Sequence, residues 1–185
     1  MNKRIEISLS TQSMAQAVKE IEKLKGAIER ARIDFIKLSV DWLLKRASDN
    51  IAVNYPDFVN DFRTAITGNL GILETTEEQM TYIEFGTGIV GKSSPHELAD
   101  ENDYQYDVNA HGEKGWTFTH YADNKLDVKE SNIISRSKGN HSGLWKKIRT
   151  RGAEAERFMF NAFSDFYNGG VYGQIYKQAL ESAMR

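Results

Sequence analysis

Hydrophobic residues recur every three or four positions through most of the first fifty residues. The series runs from Met14 through Val18, Ile21, Leu24 and Ile28, with Lys and Glu between them, and continues to Ala47 without a proline. This spacing places apolar side chains along one side of an α-helix. It predicts one long helix over about residues 13–50, in which Gly26 is a weak point but not an end.

A second hydrophobic group follows Pro56. Phe58, Phe62 and Ile66 are four residues apart, which predicts a short helix with Pro56 in its first turn. Thr67-Gly68-Asn69 has the composition of a turn, so we expect this helix to end before Gly68.

The middle of the chain changes to patterns typical of strands. Residues 72–76 and 80–85 are rich in β-branched and aromatic side chains, and they predict two strands paired across Glu77-Glu78. Residues 115–121 contain the best later strand. Residues 86–114 are mostly polar with little periodicity, which predicts a long projecting loop or hairpin.

The last thirty residues return to helical spacing. Apolar residues line one side from Phe158 to Tyr167, Gly169-Gly170 interrupts them, and Val171 to Leu180 resumes the pattern. The order helix, helix, strands, helix predicts an α+β fold and not a parallel sheet. We expect a single domain over residues 1–185, with a long N-terminal helix and a C-terminal helix packed on a small antiparallel sheet.

The segment from Tyr82 to Gly91, YIEFGTGIVG, contains the glycine spacing G-x-G-x-x-G. In dinucleotide-binding proteins a packed helix follows this spacing and holds the pyrophosphate at its N-terminus. Here polar residues follow Gly91, and five acidic groups between residues 93 and 112 would repel a phosphate. We interpret Gly86, Gly88 and Gly91 as positions where the backbone turns sharply. A nucleotide-binding enzyme is one alternative for the function of this chain; two others are described below.

Composition narrows the function classes further. The 24 Lys and Arg residues nearly balance 26 Asp and Glu residues, so no overall charge attracts the protein to nucleic acid or to a membrane. Cysteine is absent, which excludes disulfides and thiolate metal sites and suits a reducing cytoplasm. No stretch approaches the roughly 20 apolar residues that span a bilayer. The four histidines have unrelated spacings and no catalytic motif is present, so we expect no metal, no cofactor and no catalytic residues.

The small net charge hides two segments of opposite sign. Residues 131–153 contain six cationic side chains and no acidic one, whereas residues 93–112 contain no Lys or Arg. Identical chains that close a ring need two different, complementary surfaces, and these segments would supply them. The alternatives are two solvated loops, or a basic segment that contacts DNA non-specifically. Trp145 fits either a protein interface or stacking on a base.

Five short blocks carry a resemblance to a known family. The sequence resembles the head–tail connector and tail-completion proteins of long-tailed double-stranded DNA phages. The blocks are Thr67-Gly68-Asn69-Leu70, Tyr82-Ile83-Glu84-Phe85-Gly86-Thr87-Gly88, Gly115-Trp116, Thr150-Arg151-Gly152 and Arg157-Phe158-Met159-Phe160-Asn161-Ala162. Family members commonly start the last helix with an ARPFM-like sequence, where this chain has Ala155-Glu156-Arg157-Phe158-Met159. The resemblance implies an α+β subunit that assembles into a ring between capsid and tail and has no chemistry of its own.

The expected function is therefore that of a structural virion protein, which joins or completes the neck by ring assembly. Its expected partners are copies of itself and neighbouring neck or tail proteins, in the virion and, during assembly, in the host cytoplasm. The alternative is a small nucleic-acid-binding protein that uses residues 136–151. The expected interface residues are Phe85, Gly86, Gly88, Asp100, Glu101, Asp103, Arg136, Lys138, Trp145, Lys146, Lys147, Arg149 and Arg151.

Overall fold

The protein has an α+β architecture with helices at both ends of the described chain. The computed structural model describes residues 11–75, 77–107, 116–122, 133–138 and 144–185. The helices are α1 (Thr11–Ala52), α2 (Glu78–Phe85), α3 (Gly88–Ser93), α4 (Phe158–Asn168) and α5 (Val171–Ala183), with a 3₁₀ turn at Pro56–Phe58. The strands are β1 (Phe62–Thr67), β2 (Leu70–Thr75), β3 (Trp116–Ala122), β4 (Ile133–Lys138), β5 (Leu144–Thr150) and β6 (Gly152–Ala153).

Contacts divide the chain into two compact units. The first unit contains residues 1–76 and 161–185, and the second contains residues 77–160, so the boundary falls within α4. The antiparallel pair β1–β2 belongs to the first unit, and the three-stranded sheet β3-β5-β4 belongs to the second. The single-domain expectation stays a prediction.

The predicted N-terminal helix is confirmed as α1, whose 42 residues span about 63 Å. In the second half of the predicted apolar series Val40, Leu43 and Ala47 are buried as expected, but in the N-terminal half of the helix the buried side differs from the predicted one. Ala27 and Ala31 of α1 pack against Ala183 of α5, because small side chains let two helices approach closely. The larger apolar residues Met14, Val18, Ile21 and Ile28, which the spacing placed on one common side, are each more than half exposed.

Aromatic side chains hold the C-terminal helices against α1 further along the first unit. The ring of Phe35 meets Tyr172 at 5.3 Å and Tyr176 at 5.9 Å, both edge-on. The ring of Trp42 lies 5.7 Å from that of Phe166. The predicted interruption of the C-terminal helix is confirmed, and Gly170 has the positive φ of 73° that favours glycine between α4 and α5.

The helix predicted after Pro56 is wrong beyond its first turn. Residues 62–67 form β1, which pairs antiparallel with β2 so that Phe62 lies opposite Thr75 and Thr67 opposite Leu70. The predicted turn at residues 68–69 joins the two strands. A four-residue spacing in so short a segment also fits alternate positions of a strand, and β-branched residues such as Thr64 favour the extended backbone.

The strand predicted over residues 80–85 is also wrong, because these residues form α2. The strand expected to pair with it, β2, pairs instead with β1. Met80 and Glu84 are four residues apart and both are buried, as expected for one side of a helix. The glycines of the YIEFGTGIVG segment therefore follow a helix and not a sheet edge.

The later predictions have mixed outcomes. The strand predicted over residues 115–121 is confirmed as β3, which pairs antiparallel with β5. Residues 86–107 do not project, since they include α3 and the buried residues His96 and Ala99. The rest of the predicted loop, residues 108–114, lies outside the described residues.

We predict that Gly71→Ala lowers the free energy of unfolding by about 1–3 kcal/mol because it overpacks the contact between β2 and α1. A Cβ at Gly71 would lie 2.4 Å from Cγ2 of Val40 and 3.1 Å from Cγ2 of Ile36. Gly173→Ala in α5 is the matched control, since a Cβ there meets nothing within 4 Å. The control should raise the free energy of unfolding by about 0.5–1 kcal/mol. Urea denaturation measures both, and equal effects of the two substitutions would contradict the packing argument.

Candidate functional site

A buried carboxylate organises the second unit. Glu84, in α2, is 6% exposed. Its Oε2 atom accepts a hydrogen bond from the backbone N–H of Met159 at 2.9 Å, and its Oε1 atom accepts one from Phe160 at 2.9 Å. These amides lie in the first turn of α4, where N–H groups have no partner within the helix. Glu84 therefore caps α4 across 75 residues of sequence, and the positive end of the helix dipole favours its negative charge.

His96 completes the hydrogen bonding of this carboxylate. Its side chain is buried, and its Nε2 atom lies 3.2 Å from Oε1 of Glu84. The other ring nitrogen, Nδ1, accepts a hydrogen bond from the backbone N–H of Leu98 at 3.0 Å. An acceptor at Nδ1 leaves the ring proton on Nε2, so His96 donates to Glu84. The turn at residues 96–98 thus fixes both the position and the tautomer of the histidine.

Aromatic rings cover the Glu84–His96 pair. The ring of Phe85 lies 4.4 Å from His96 and 4.7 Å from Tyr104, and the ring of Phe160 meets His96 edge-on at 5.3 Å. The hydroxyl of Tyr104 donates to the carbonyl oxygen of Gly86 at 2.7 Å. Burial raises the pKa of Tyr104 to about 12. Exclusion of water strengthens the hydrogen bonds beneath these rings.

Arg157 fastens residues 94–97 to the start of α4. Its Nε atom donates to Oε2 of Glu97 at 2.9 Å, and its Nη2 atom donates to the carbonyl oxygens of Pro95 at 2.9 Å and Ser94 at 3.3 Å. The pKa of Glu97 is lowered, first by the hydrogen bond from its own backbone N–H and further by Arg157. Because Glu97 is about half exposed, the carbonyl contacts hold the segment more than the ion pair does.

The backbone at Arg157 departs from what the family resemblance implies. Arg157 has a φ of 53°. Members of the family commonly carry a proline at the matching position, and the proline ring fixes φ near −65°. A proline could not adopt the positive φ of Arg157.

Two backbone segments cross next to this site, and the crossing explains the glycine spacing. Thr87 and Gly88 pair antiparallel with Ala153 and Gly152. Gly88 has a φ of 62°, and a Cβ there would lie 2.4 Å from the carbonyl oxygen of Arg151. The N–H of Gly88, which a bound phosphate would need, donates instead to the carbonyl oxygen of Tyr106 at 2.7 Å. The glycines thus serve close backbone packing, as the interpretation of sharp turns proposed, although a helix precedes them.

The first six expected interface residues divide into an internal and an exposed group. Gly86 and Gly88 are buried and Phe85 is half-buried, so the two glycines are not accessible to a neighbouring subunit and their place in the expected interface is corrected. Asp100, Glu101 and Asp103 are exposed. We call these three residues the acidic surface.

The seven remaining expected residues lie in β4 and β5 or just after them. Arg136 and Lys138 belong to β4, Trp145, Lys146, Lys147 and Arg149 belong to β5, and Arg151 follows β5 and is exposed. The side chains of the strand residues lie outside the described part of the structure. The strand register places Arg136 opposite Lys146, a juxtaposition that the linear sequence did not show.

Three residues central to this site were missed by the sequence analysis: Glu84, His96 and Arg157. Glu84 stands alone among apolar neighbours in the segment Tyr82 to Phe85, and a lone carboxylate in an apolar run is a signal of a buried, partnered charge. His96 and Arg157 carry no comparable local signal, because their partners are distant in sequence.

Comparison of the chain with protein-family models, with curated proteins and with solved structures gives no match. Within the described ranges, no helix has the length and apolar character needed to cross a bilayer. The same residues contain no cluster of three or more His, Asp or Glu side chains suited to a metal ion.

We predict that Glu84→Ala lowers the free energy of unfolding by about 2–4 kcal/mol, because it leaves two helix amides and a buried imidazole without their acceptor. Glu101→Ala, at an exposed position of the same unit, is the matched control and should change stability by less than about 0.5 kcal/mol. Denaturant unfolding followed by circular dichroism measures both. A loss below about 1 kcal/mol in Glu84→Ala would show that the cap does not organise this unit.

We predict that Tyr104 stabilises the fold fully below pH 10 and that this contribution is lost as the pH rises through about 12. The folded-state pKa of about 12 lies above the ordinary 10.0, so unfolding releases a proton in this window and alkali favours unfolding. Ultraviolet titration of tyrosinate should show a tyrosine with a pKa of about 12, which Tyr104→Phe removes. Tyr167→Phe is the control, because Tyr167 is 64% exposed. Titration of Tyr104 at its ordinary pKa of 10.0 would contradict the prediction.

Proposed function

We propose that this chain is a structural protein of a tailed-phage neck, which joins or completes the head–tail region by assembling into a ring. Its partners are copies of itself and the neighbouring neck or tail proteins. It acts in the virion and assembles in the host cytoplasm. The proposed role is assembly without catalytic turnover.

The convergence of separate sequence blocks carries this proposal. Glu84 of the block EFGTG binds the amides of Met159 and Phe160 in the block RFMFNA. Thr87 and Gly88 of the first block pair with the segment that contains Gly152 of the block TRG. Blocks that lie some 65 to 75 residues apart and contact one another form one structural unit. Three of the five blocks that carry the resemblance therefore contact one another in the structure, which supports interpreting them together.

Charges in the second unit fit a head-to-tail contact between copies. The acidic surface is exposed, and its three carboxylates have no ion pair within the described ranges. Arg136 lies directly opposite Lys146 in the sheet, and like charges at such positions destabilise strand pairing. A carboxylate from a neighbouring copy would offset that repulsion. Two different surfaces of opposite charge on one chain are what a closed ring of identical subunits requires.

The first unit offers apolar surface for neighbours. Phe163, Tyr167, Tyr172 and Tyr176, on α4 and α5, are each at least 40% exposed. Aromatic residues are enriched in protein interfaces, because they bury a large area with few rotatable bonds. Their presence supports a surface that becomes covered on assembly.

Electron microscopy of particles assembled without this chain tests the proposal. We expect filled heads and complete tails that lie unjoined, and normal infectious particles would overturn it. Supplying the chain in trans should restore joining.

A charge exchange tests the contact itself. We expect Asp100→Lys with Glu101→Lys, and separately Arg136→Glu with Lys146→Glu, each to reduce joined particles at least tenfold when supplied in trans. The variant that combines all four changes should recover joining, because it restores opposite charges across the contact. Lys45→Glu with Asp49→Lys, an exposed pair on α1, is the control and should leave joining unchanged. If the combined variant does not recover joining, this contact between copies is excluded. The neck function is then tested by the deletion experiment alone.

A further inference from the structure

The three-stranded sheet is strongly basic. Strands β3, β4 and β5 together contain five Lys and Arg residues and no Asp or Glu. In the sequence these cations form one segment, but the strand register separates them into two sets. Arg136, Lys138 and Lys146 occupy one set of alternating positions, and Lys147 and Arg149 occupy the other.

The set that contains Lys147 and Arg149 differs in composition from the other set. On β5 it contains Trp145, Lys147 and Arg149, whose register partners on β3 are Tyr121, Thr119 and Thr117. On β4, Ser137 is the partner of Trp145 and Ser135 that of Lys147. Alternate positions of paired strands share one face of a sheet. We call this set of eight positions the polar face: each holds a hydroxyl, cationic or aromatic residue, and none holds an aliphatic or acidic one.

The order of residues along the polar face suggests its ligand. Tyr121 and Trp145 are direct register partners at one end. Lys147 and Arg149 follow about 7 and 14 Å further along β5. Aromatic residues stack on bases, and Lys and Arg alongside them pair with the phosphates that connect those bases. Hydroxyl residues on both flanking strands add further donors for phosphate and sugar oxygens.

We propose that the polar face binds single-stranded nucleic acid. A duplex keeps its bases stacked inside, so it gives Tyr121 and Trp145 no exposed base on which to stack. The proposed binding does not rest on the neck function. It uses Lys147 and Arg149, whereas the proposed contact between copies uses Arg136 and Lys146, which alternate with them along the sheet.

Fluorescence anisotropy with a labelled 12-nucleotide oligothymidine and the corresponding 12-base-pair duplex tests the proposal. We expect the single strand to bind at least tenfold more tightly than the duplex at 50 mM salt. Two phosphate contacts predict that the affinity falls about sevenfold between 50 and 200 mM salt, from a slope of about −0.7 per contact. Absence of binding at 50 mM salt, or tighter binding of the duplex, would overturn the proposal.

Paired variants locate the binding surface. Lys147→Gln with Arg149→Gln should weaken binding at least tenfold, whereas Lys19→Gln with Lys23→Gln on α1, which removes the same charge, should change it less than twofold. Trp145→Ala should lose about tenfold from stacking, and Trp145→Phe should stay within about threefold of the parent chain. Circular dichroism confirms that each variant is folded. Equal losses from the β5 and α1 pairs, or equal effects of Ala and Phe at residue 145, would overturn the assignment to this face.

Discussion

The carboxylate of Glu84 is removed from water and compensated by two helix amides and one imidazole. Burying a carboxylate costs several kcal/mol unless its oxygens are satisfied, and removal of the partners of such a group is strongly destabilising. Each partner depends on Glu84 in the same way, because the amides of Met159 and Phe160 lie in a first helical turn and the ring of His96 is buried. The packing of Phe85 and the position of residues 94–97 follow from this network.

The crossing at Gly88 and Gly152 shows that the G-x-G-x-x-G spacing does not by itself make a phosphate-binding turn. The same G-x-G-x-x-G spacing cradles a pyrophosphate where its amides are free and a helix packs behind it. In this chain the amide of Gly88 is occupied by Tyr106, and a second backbone segment fills the space beside it. Such a turn can bind a phosphate only where its amides are not already bonded to carbonyl groups of the same chain, whatever the glycine spacing.

Sequence reasoning succeeded for the long helical patterns and for the strands β2 and β3, and it failed for two other short segments. The helices α1, α4 and α5 and the strand β3 follow from sustained periodicity or strong strand composition. Residues 62–67 and 80–85 are too short to distinguish a helical from a strand period. Because β2 pairs with residues 62–67, those residues form a strand, and residues 80–85 do not pair with β2. In the N-terminal half of α1 the buried side was missed because Ala27 and Ala31 are weakly hydrophobic, although their size suits helix contact. The contacts of Glu84 join residues 12, 75 and 76 positions apart, which no local pattern reveals.

The long sequence separation within the Glu84 cap has a consequence for the order of events during synthesis. Glu84 leaves the ribosome some 75 residues before the amides that satisfy it. Loop closure over that length costs about 4 kcal/mol from the length term alone, and contacts of such separation slow folding. Until residues 159 and 160 are made, the carboxylate stays hydrated, because no amide is present to compensate its burial. The second unit therefore completes its packing only after residues 159 and 160 have been translated.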